Sequence, residues 1–317
     1  MTASGVAEQT SKFIPARPSL RARMLTRVVR LVVKNWPRND MAAVVRRSRW
    51  LFGSPAPLSF LHTRGLKIQQ VREGDVRGEW LAPARLEQKE KVLLYLHGGG
   101  YVSCSPRSHR AITASLARML KRSVFALDYR LAPESPFPAA VDDAAASYSW
   151  LLKSGIKPEN IAVAGDSAGG GLTVALLLRL RRMGLQLPAC AVCLAPWVDL
   201  TGKYDYRNRK SCAMFTGDEV GAFASLYLHS APAESEEASP LFADLRGLPP
   251  LLIQVSSTEL LLDDAVRLRE KAVQCGVDTR LSVYPGLPHV WQMFVGLMPE
   301  AEMALREIAE FVDRREE

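Results

Sequence analysis

The stretch from Ile161 to Gly171, Ile-Ala-Val-Ala-Gly-Asp-Ser-Ala-Gly-Gly-Gly, constrains the fold of this chain more than any other. An apolar run of strand length enters glycines and leaves them as a long helix-like segment to Met183. Gly165 and Gly169 stand two residues either side of Ser167, the spacing G-x-S-x-G. A strand that reverses so sharply into a helix has no room for side chains at those two positions, and the turn lifts the serine hydroxyl clear of the sheet. A glycine-rich turn with an incidental serine is the plain alternative, so the context has to decide.

That context is a regular alternation. Leu66–Val71 and Trp80–Leu81 read as opening strands, and Lys91–Leu96 as a short apolar strand ending in Gly98-Gly-Gly100. A helix is expected over Arg107–Arg122, a strand over Val124–Leu127 and a helix over Ala139–Lys153. Beyond the serine, Ala191–Ala195 and Leu251–Val255 are strands, a helix follows from Asp264 to Gln274, and Arg280–Val283 and Pro299–Arg314 close the series. Helical crossovers of ten or more residues imply a mostly parallel sheet. Strands that are apolar throughout imply cover on both faces. From Asp199 to Pro240 the rhythm breaks: no strand is evident, only an amphipathic patch at Val220–Leu228. An excursion of this length between core strands is expected to be an insertion over a site.

A second motif, His97-Gly-Gly-Gly100, follows a strand seventy residues before Ser167. Consecutive glycines let backbone N–H groups approach a substrate closely, as stabilisation of an oxyanion requires. The N–H groups of Gly99, Gly100 and Ala168 are the candidate donors. A phosphate-cradling loop would need a Walker lysine or a G-x-G-x-x-G spacing, and neither is present. When a serine tops such a sheet, its acid and histidine follow it in that order. Of the five histidines only His229 and His289 come after Ser167, and His229 falls in the excursion. His289, in a turn past the last strand, is therefore the candidate base. The acid should end a strand, which leaves Asp199, Glu259 and Asp263. Asp263 and Asp264 are readily explained as caps of the helix they precede, and Asp199 as an anchor of the excursion. Glu259 has no such structural duty and is preferred, with Asp263 the alternative.

Charge is segregated. The chain carries +8 in 317 residues, but residues 1–50 hold eleven Lys/Arg against Glu8 and Asp40, leaving about −1 for the rest. The basic balance thus describes one segment and argues against a nucleic-acid-binding body. Within it, Ser19–Trp36 reads as an amphipathic helix, with Leu20, Met24, Val28, Leu31 and Val32 on one face and Arg23, Arg27, Arg30 and Lys34 on another. Its ordinary place is apolar side on the protein, arginines in water. Peripheral contact with an anionic membrane is the alternative. Arg27, Arg30 and Lys34 interrupt every apolar stretch that would serve as a signal-peptide core. Five scattered cysteines suggest a reducing compartment, and Cys190 and Cys193 read as core thiols rather than a redox or zinc pair. A cytoplasmic protein is expected.

Taken together, His97-Gly-Gly-Gly100, Asp128-Tyr-Arg-Leu-Ala-Pro-Glu134, Pro136-Phe-Pro138, Gly165-Asp166-Ser167-Ala168-Gly169-Gly170 and Pro288-His289 resemble the hormone-sensitive-lipase-like esterases. The likeness is to their bacterial branch with a G-D-S-A-G turn, and it covers nearly the whole chain after about residue 60. It implies an α/β-hydrolase fold with a mostly parallel sheet of about eight strands, flanked by helices and topped by a helical cap. The cap would comprise residues 1–50 and 199–240, and the catalytic core 51–198 and 241–317. It further implies hydrolysis of short- to medium-chain acyl esters by Ser167, His289 and Glu259, with no metal or organic cofactor. The family commonly has D-P-L-x-D-E around its acid, where this chain has Glu259-Leu-Leu-Leu-Asp263-Asp264. Amide or lactone hydrolysis on the same triad, and a non-catalytic ligand receptor, are the rival readings. A homodimer paired through an edge strand at Leu281–Tyr284 is a further expectation by analogy.

Overall fold

The computed structural model describes residues 11–34, 40–53, 59–86 and 88–315. Eight strands form one sheet: β1 (Leu66–Glu73), β2 (Val76–Pro83), β3 (Gln88–Leu96), β4 (Arg122–Leu127), β5 (Ile161–Asp166), β6 (Cys190–Leu194), β7 (Leu251–Ser256) and β8 (Thr279–Tyr284). Their spatial order is β1-β2-β4-β3-β5-β6-β7-β8. The β1–β2 and β2–β4 pairs are antiparallel, and every pair from β4–β3 onward is parallel. Parallel strands bring their C-terminal ends to one edge, where ligand sites of open α/β sheets form. β8 lies at the outer border of the sheet, as the edge reading of Leu281–Tyr284 requires.

The helices are α1 (Leu20–Val29), α2 (Met41–Phe52), α3 (Ser59–Thr63), α4 (Arg110–Met119), α5 (Ala139–Lys153), α6 (Ala168–Arg182), α7 (Asp218–Leu228), α8 (Leu262–Gln274) and α9 (Pro299–Arg315). Alternate strand residues serve opposite faces, because strand side chains have period two. Leu94 and Leu96 pack with Tyr148 of α5 and Leu172 of α6. Leu93 and Tyr95 pack with Ile112 of α4 and Leu305 and Ile308 of α9. A third cluster joins Val174 and Ile253 to Leu268 of α8. Each such aliphatic side chain, once buried, contributes about 1.5–3 kcal/mol. Cys190 and Cys193 go to different clusters, both buried, and none of the five cysteines is in a disulfide. α4 begins three residues later than expected. Ser105 and Ser108 bond each other's backbone after Pro106 (Ser105 N to Ser108 Oγ 3.1 Å, Ser108 Oγ to Ser105 O 2.8 Å), holding that segment as a turn.

Residues 199–240 contain no strand, and their patch at 220–228 lies in α7. The segment before α2 meets them. Arg30 donates to Ser211 O, and Lys34 Nζ donates to the carbonyls of Arg209, Lys210 and Cys212 at 3.0, 3.0 and 2.8 Å. α1 continues as a π-turn over Arg30–Lys34, and Trp36 lies outside the described residues. The orientation of α1 departs from its ordinary expectation. Its line of contact with the body is Ala22 and Val29, both buried, whereas Leu20, Met24, Val28, Leu31 and Val32 are 50–74% exposed. Ser19 sets that rotation: its Oγ accepts from Ala22 N at 3.1 Å and donates to Glu300 of α9 at 3.0 Å. No helix among the described residues is long and apolar enough to cross a membrane.

Candidate active site

β5 ends at Asp166, and Ser167 turns the chain into α6 with φ 54° and ψ −121°. That region is costly for an L-residue, and strain of this kind collects at functional sites. The flanking glycines are steric necessities. A Cβ on Gly165 would lie 2.2 Å from Gly169 O, and one on Gly169 would lie 2.1 Å from Leu96 O. The backbone keeps the turn closed, with Ser167 N donating to Leu194 O at 2.7 Å and Trp197 N donating to Ser167 O at 3.0 Å. Ser167 itself is half-buried.

The loop after β3 folds beside this turn. Gly99 and Gly100 have φ of +110° and +63°, conformations open to glycine. Their N–H groups make no backbone hydrogen bond among the described residues. Ala168 is the first residue of α6, so its N–H also lacks an intrahelical acceptor. Asp166 fixes the spacing between loop and turn. Its Oδ1 accepts from Gly98 N at 3.1 Å and from Tyr95 OH at 2.8 Å, and its Oδ2 sits 3.2 Å from His109 Nε2. Burial alone would push the Asp166 carboxyl up. The surrounding His109 and Tyr95 outweigh it and hold the group below its usual value. A Cβ on Gly98 would lie 2.2 Å from Asp166 Oδ2, so only glycine permits this approach. His97 stacks on Tyr129 at 4.2 Å, and burial together with neighbouring His109 lowers its pKa to about 3, so it is neutral. The Tyr95–Asp166–His109 cluster carried no sequence signal, because its members are 57 and 71 residues apart.

Past β7 the chain reverses through Ser257 and Thr258 to Glu259, whose side chain turns back under the strand end. Glu259 Oε1 accepts from Ser256 N at 2.6 Å, and Oε2 lies 2.5 Å from His289 Nδ1. The loop after β8 is stitched to the same strand end, with Leu287 N donating to Ser256 Oγ at 2.9 Å and Gly286 N to Ser257 Oγ at 3.0 Å. His289 is buried, and its Nε2 has no hydrogen-bond partner among the described residues. The Phe215 ring meets His289 edge-on at 5.2 Å. A neutral imidazole held at Nδ1 by a carboxylate leaves Nε2 as a proton acceptor.

The remaining carboxylates serve elsewhere. Asp263 accepts from the Arg207 backbone N at 3.1 Å and from its guanidinium Nε at 2.5 Å. Asp264 accepts from Val198 N and Asp199 N at 2.9 and 3.1 Å, and burial raises its pKa to about 6. The helix-cap explanation for these two residues is therefore corrected: α8 starts after Leu261 with no side-chain cap. Asp199 pairs with Arg267 at 2.8 Å and binds Thr201, as an anchor of the excursion would. Arg23 of the basic face is exposed on α1. A cavity of about 200 Å³ opens between Trp197, Leu200, Tyr204, Tyr206 and Val220, and its lining includes none of Ser167, Glu259 or His289. Among the described residues no group of three or more His, Cys, Asp or Glu has a metal-binding arrangement.

The α/β-hydrolase fold family matches residues 93–293. An acetyl-hydrolase of Streptomyces hygroscopicus is 43% identical over 245 residues, spanning 76% of this chain and 81% of the relative. An esterase of Acinetobacter venetianus is 39% identical over 250 residues, spanning 78% and 82%. The solved structure of EstE5 soaked with p-nitrophenyl butyrate superposes with a TM-score of 0.85 at 36% identity, over 94% of this chain and 99% of that one. An esterase from the bacterial hormone-sensitive lipase family superposes with a TM-score of 0.85 at 38% identity, over 94% and 99%. With the fold, the glycine-framed serine and the close matches in agreement, this chain belongs to the α/β-hydrolase family, in its hormone-sensitive-lipase branch of carboxylic-ester hydrolases.

Proposed function

We propose that the protein hydrolyses small, short- to medium-chain acyl esters through Ser167, His289 and Glu259. The observation that carries this reading is the Glu259–His289 contact at 2.5 Å, which leaves a buried Nε2 without a partner. In the first step Ser167 Oγ attacks the ester carbonyl and its proton passes to His289 Nε2. The N–H groups of Gly99, Gly100 and Ala168 receive the negative charge that develops on the carbonyl oxygen. Glu259 holds the imidazole tautomer and offsets its transient positive charge. The C–O bond to the alcohol then breaks, and the alcohol leaves with the proton from Nε2. Water attacks the acyl-enzyme, giving its proton to His289, and the carboxylic acid departs as Ser167 is reprotonated. That a relative of the same fold was soaked with p-nitrophenyl butyrate supports a short acyl chain. Residues 1–50 and 199–240 act in this reading as one cap, supported by the Arg30 and Lys34 bonds to the 209–212 carbonyls and by Phe215 against His289. Five cysteines, none of them in a disulfide, support a cytoplasmic setting.

The test is hydrolysis of p-nitrophenyl esters from acetyl to palmitoyl by the wild type and by Ser167→Ala. Turnover of butyrate or hexanoate that vanishes in the variant is the expected result. Two folded proteins with no activity on any of the series would overturn it in favour of an amide, a lactone or a ligand receptor.

A further inference from the structure

The exposed line along α1 is unusual in this molecule. Of the twelve large hydrophobic side chains exposed among the described residues, five fall between Leu20 and Val32. At about 1.5 Å rise per residue they form a stripe roughly 18 Å long. A helix has three sectors here. Ala22 and Val29 face the body, the five aliphatic residues face outward, and Arg23, Arg27 and Arg30 follow the stripe along one side. Residues 11–34 contain no acidic residue. Arg21, Arg23 and Arg27 are exposed and make no ion pair among the described residues. The helix is also held firmly, by Ser19 on Glu300 at one end and by Arg30 and Lys34 on the 209–212 carbonyls at the other. Its outward face is therefore a fixed feature of the surface.

We propose that this face docks on an anionic lipid surface, the aliphatic stripe entering the interface while the arginines meet the headgroups. An apolar strip bordered by cations is the composition that binds such interfaces. A second copy of the chain is a poorer occupant, since a two-fold contact along the stripe would bring the arginines of both copies together. The π-turn that follows α1 rests on residues 209–212, three residues before Phe215 at the catalytic histidine. Docking would thus hold the cap side of the site toward esters dissolved in the interface. That last step rests on the proposed esterase reading, whereas the docking does not.

The test is flotation of the full-length protein with vesicles of phosphatidylcholine alone or with about 30 mol % phosphatidylglycerol. The expected result is at least about ten-fold more protein on the anionic vesicles, falling as salt is raised. Met24→Asp with Leu31→Asp should abolish binding to both, and Arg23→Glu with Arg27→Glu should abolish the anionic preference, with thermal midpoints unchanged in each. Since flotation requires no turnover, an inactive enzyme would leave this result intact. Absence of flotation, or equal flotation of the wild type and the Met24/Leu31 variant, would overturn the proposal. So would a wild-type dimer by light scattering that the Met24/Leu31 variant converts to monomer.

Discussion

Replacing Glu259 by glutamine removes one charge and changes nothing in size, and the geometry dictates which way the new amide must face. Oε1 of Glu259 is the acceptor for Ser256 N at 2.6 Å, inside a strand end that is fully buried. An amide turned with its NH2 toward that N–H would set donor against donor and leave a buried amide unsatisfied, at a cost of about 1–3 kcal/mol. The carbonyl of the new side chain is therefore expected to keep Ser256, and its NH2 to face His289 Nδ1. A donor at that position makes Nδ1 the acceptor and places the ring proton on Nε2, where it can no longer take the proton of Ser167. The cost of a wrong tautomer in an otherwise intact triad is about 10⁴ in kcat, or roughly 5.5 kcal/mol of barrier. Glu259→Asp keeps the charge but withdraws it by about 1.5 Å, and a misplacement of that order costs about 10²-fold. Initial rates on p-nitrophenyl butyrate, with thermal unfolding as the control for folding, give both numbers. The reasoning fails if Glu259→Gln stays within about ten-fold of wild type, and it fails doubly if Asp263→Asn, which only loosens Arg207, is the inactive protein.

Two further outcomes follow from the packing and the charges. Gly169→Ala drives a Cβ to 2.1 Å from Leu96 O and 2.5 Å from His97 O, so it should destabilise the fold by about 3 kcal/mol, read by denaturant titration; an unchanged midpoint would contradict the close packing. Asp264 has a carboxyl raised to about 6 against 3.8 when unfolded, chiefly by burial. Its folded form therefore holds the proton more tightly, and its contribution is full below about pH 4 and lost as pH rises through about 6. The stability of wild type relative to Asp264→Asn should fall by about 2 kcal/mol between pH 4 and pH 7, and a difference that stays flat over that range would count against the burial argument.

Much of the site could be read in the sequence, because its parts obey local rules. A serine between glycines must stand at a tight turn, and paired glycines after a strand must serve backbone approach, wherever the rest of the chain goes. The order serine, acid, histidine then points to Glu259 and His289, and the structure brings those two into contact. Features decided by distant partners were hidden. Asp263 and Asp264 sit where caps are common, yet Arg207 and the Val198–Asp199 backbone claim them. Asp166 was visible only as the second residue of a motif, not as the joint between Gly98, Tyr95 and His109. In α1 the pattern of apolar and basic residues was legible, but a two-sided wheel does not say which third side meets the body. That was settled by Ala22, Val29 and the grip of Glu300 on Ser19.

The two carboxylates of α9 that hold the early residues have a bearing on how the chain is made. Glu307 accepts from Ser11 as well as from Ser282, Tyr284 and Gln254, and Glu300 holds Ser19. Ser11 and Ser19 thus find their anchors only after α9, nearly 300 residues further along the chain, has been made. At synthesis speeds of about 5–20 residues per second, Ser19 must wait on the order of 15–60 s for the carboxylate that sets the rotation of α1 against the body.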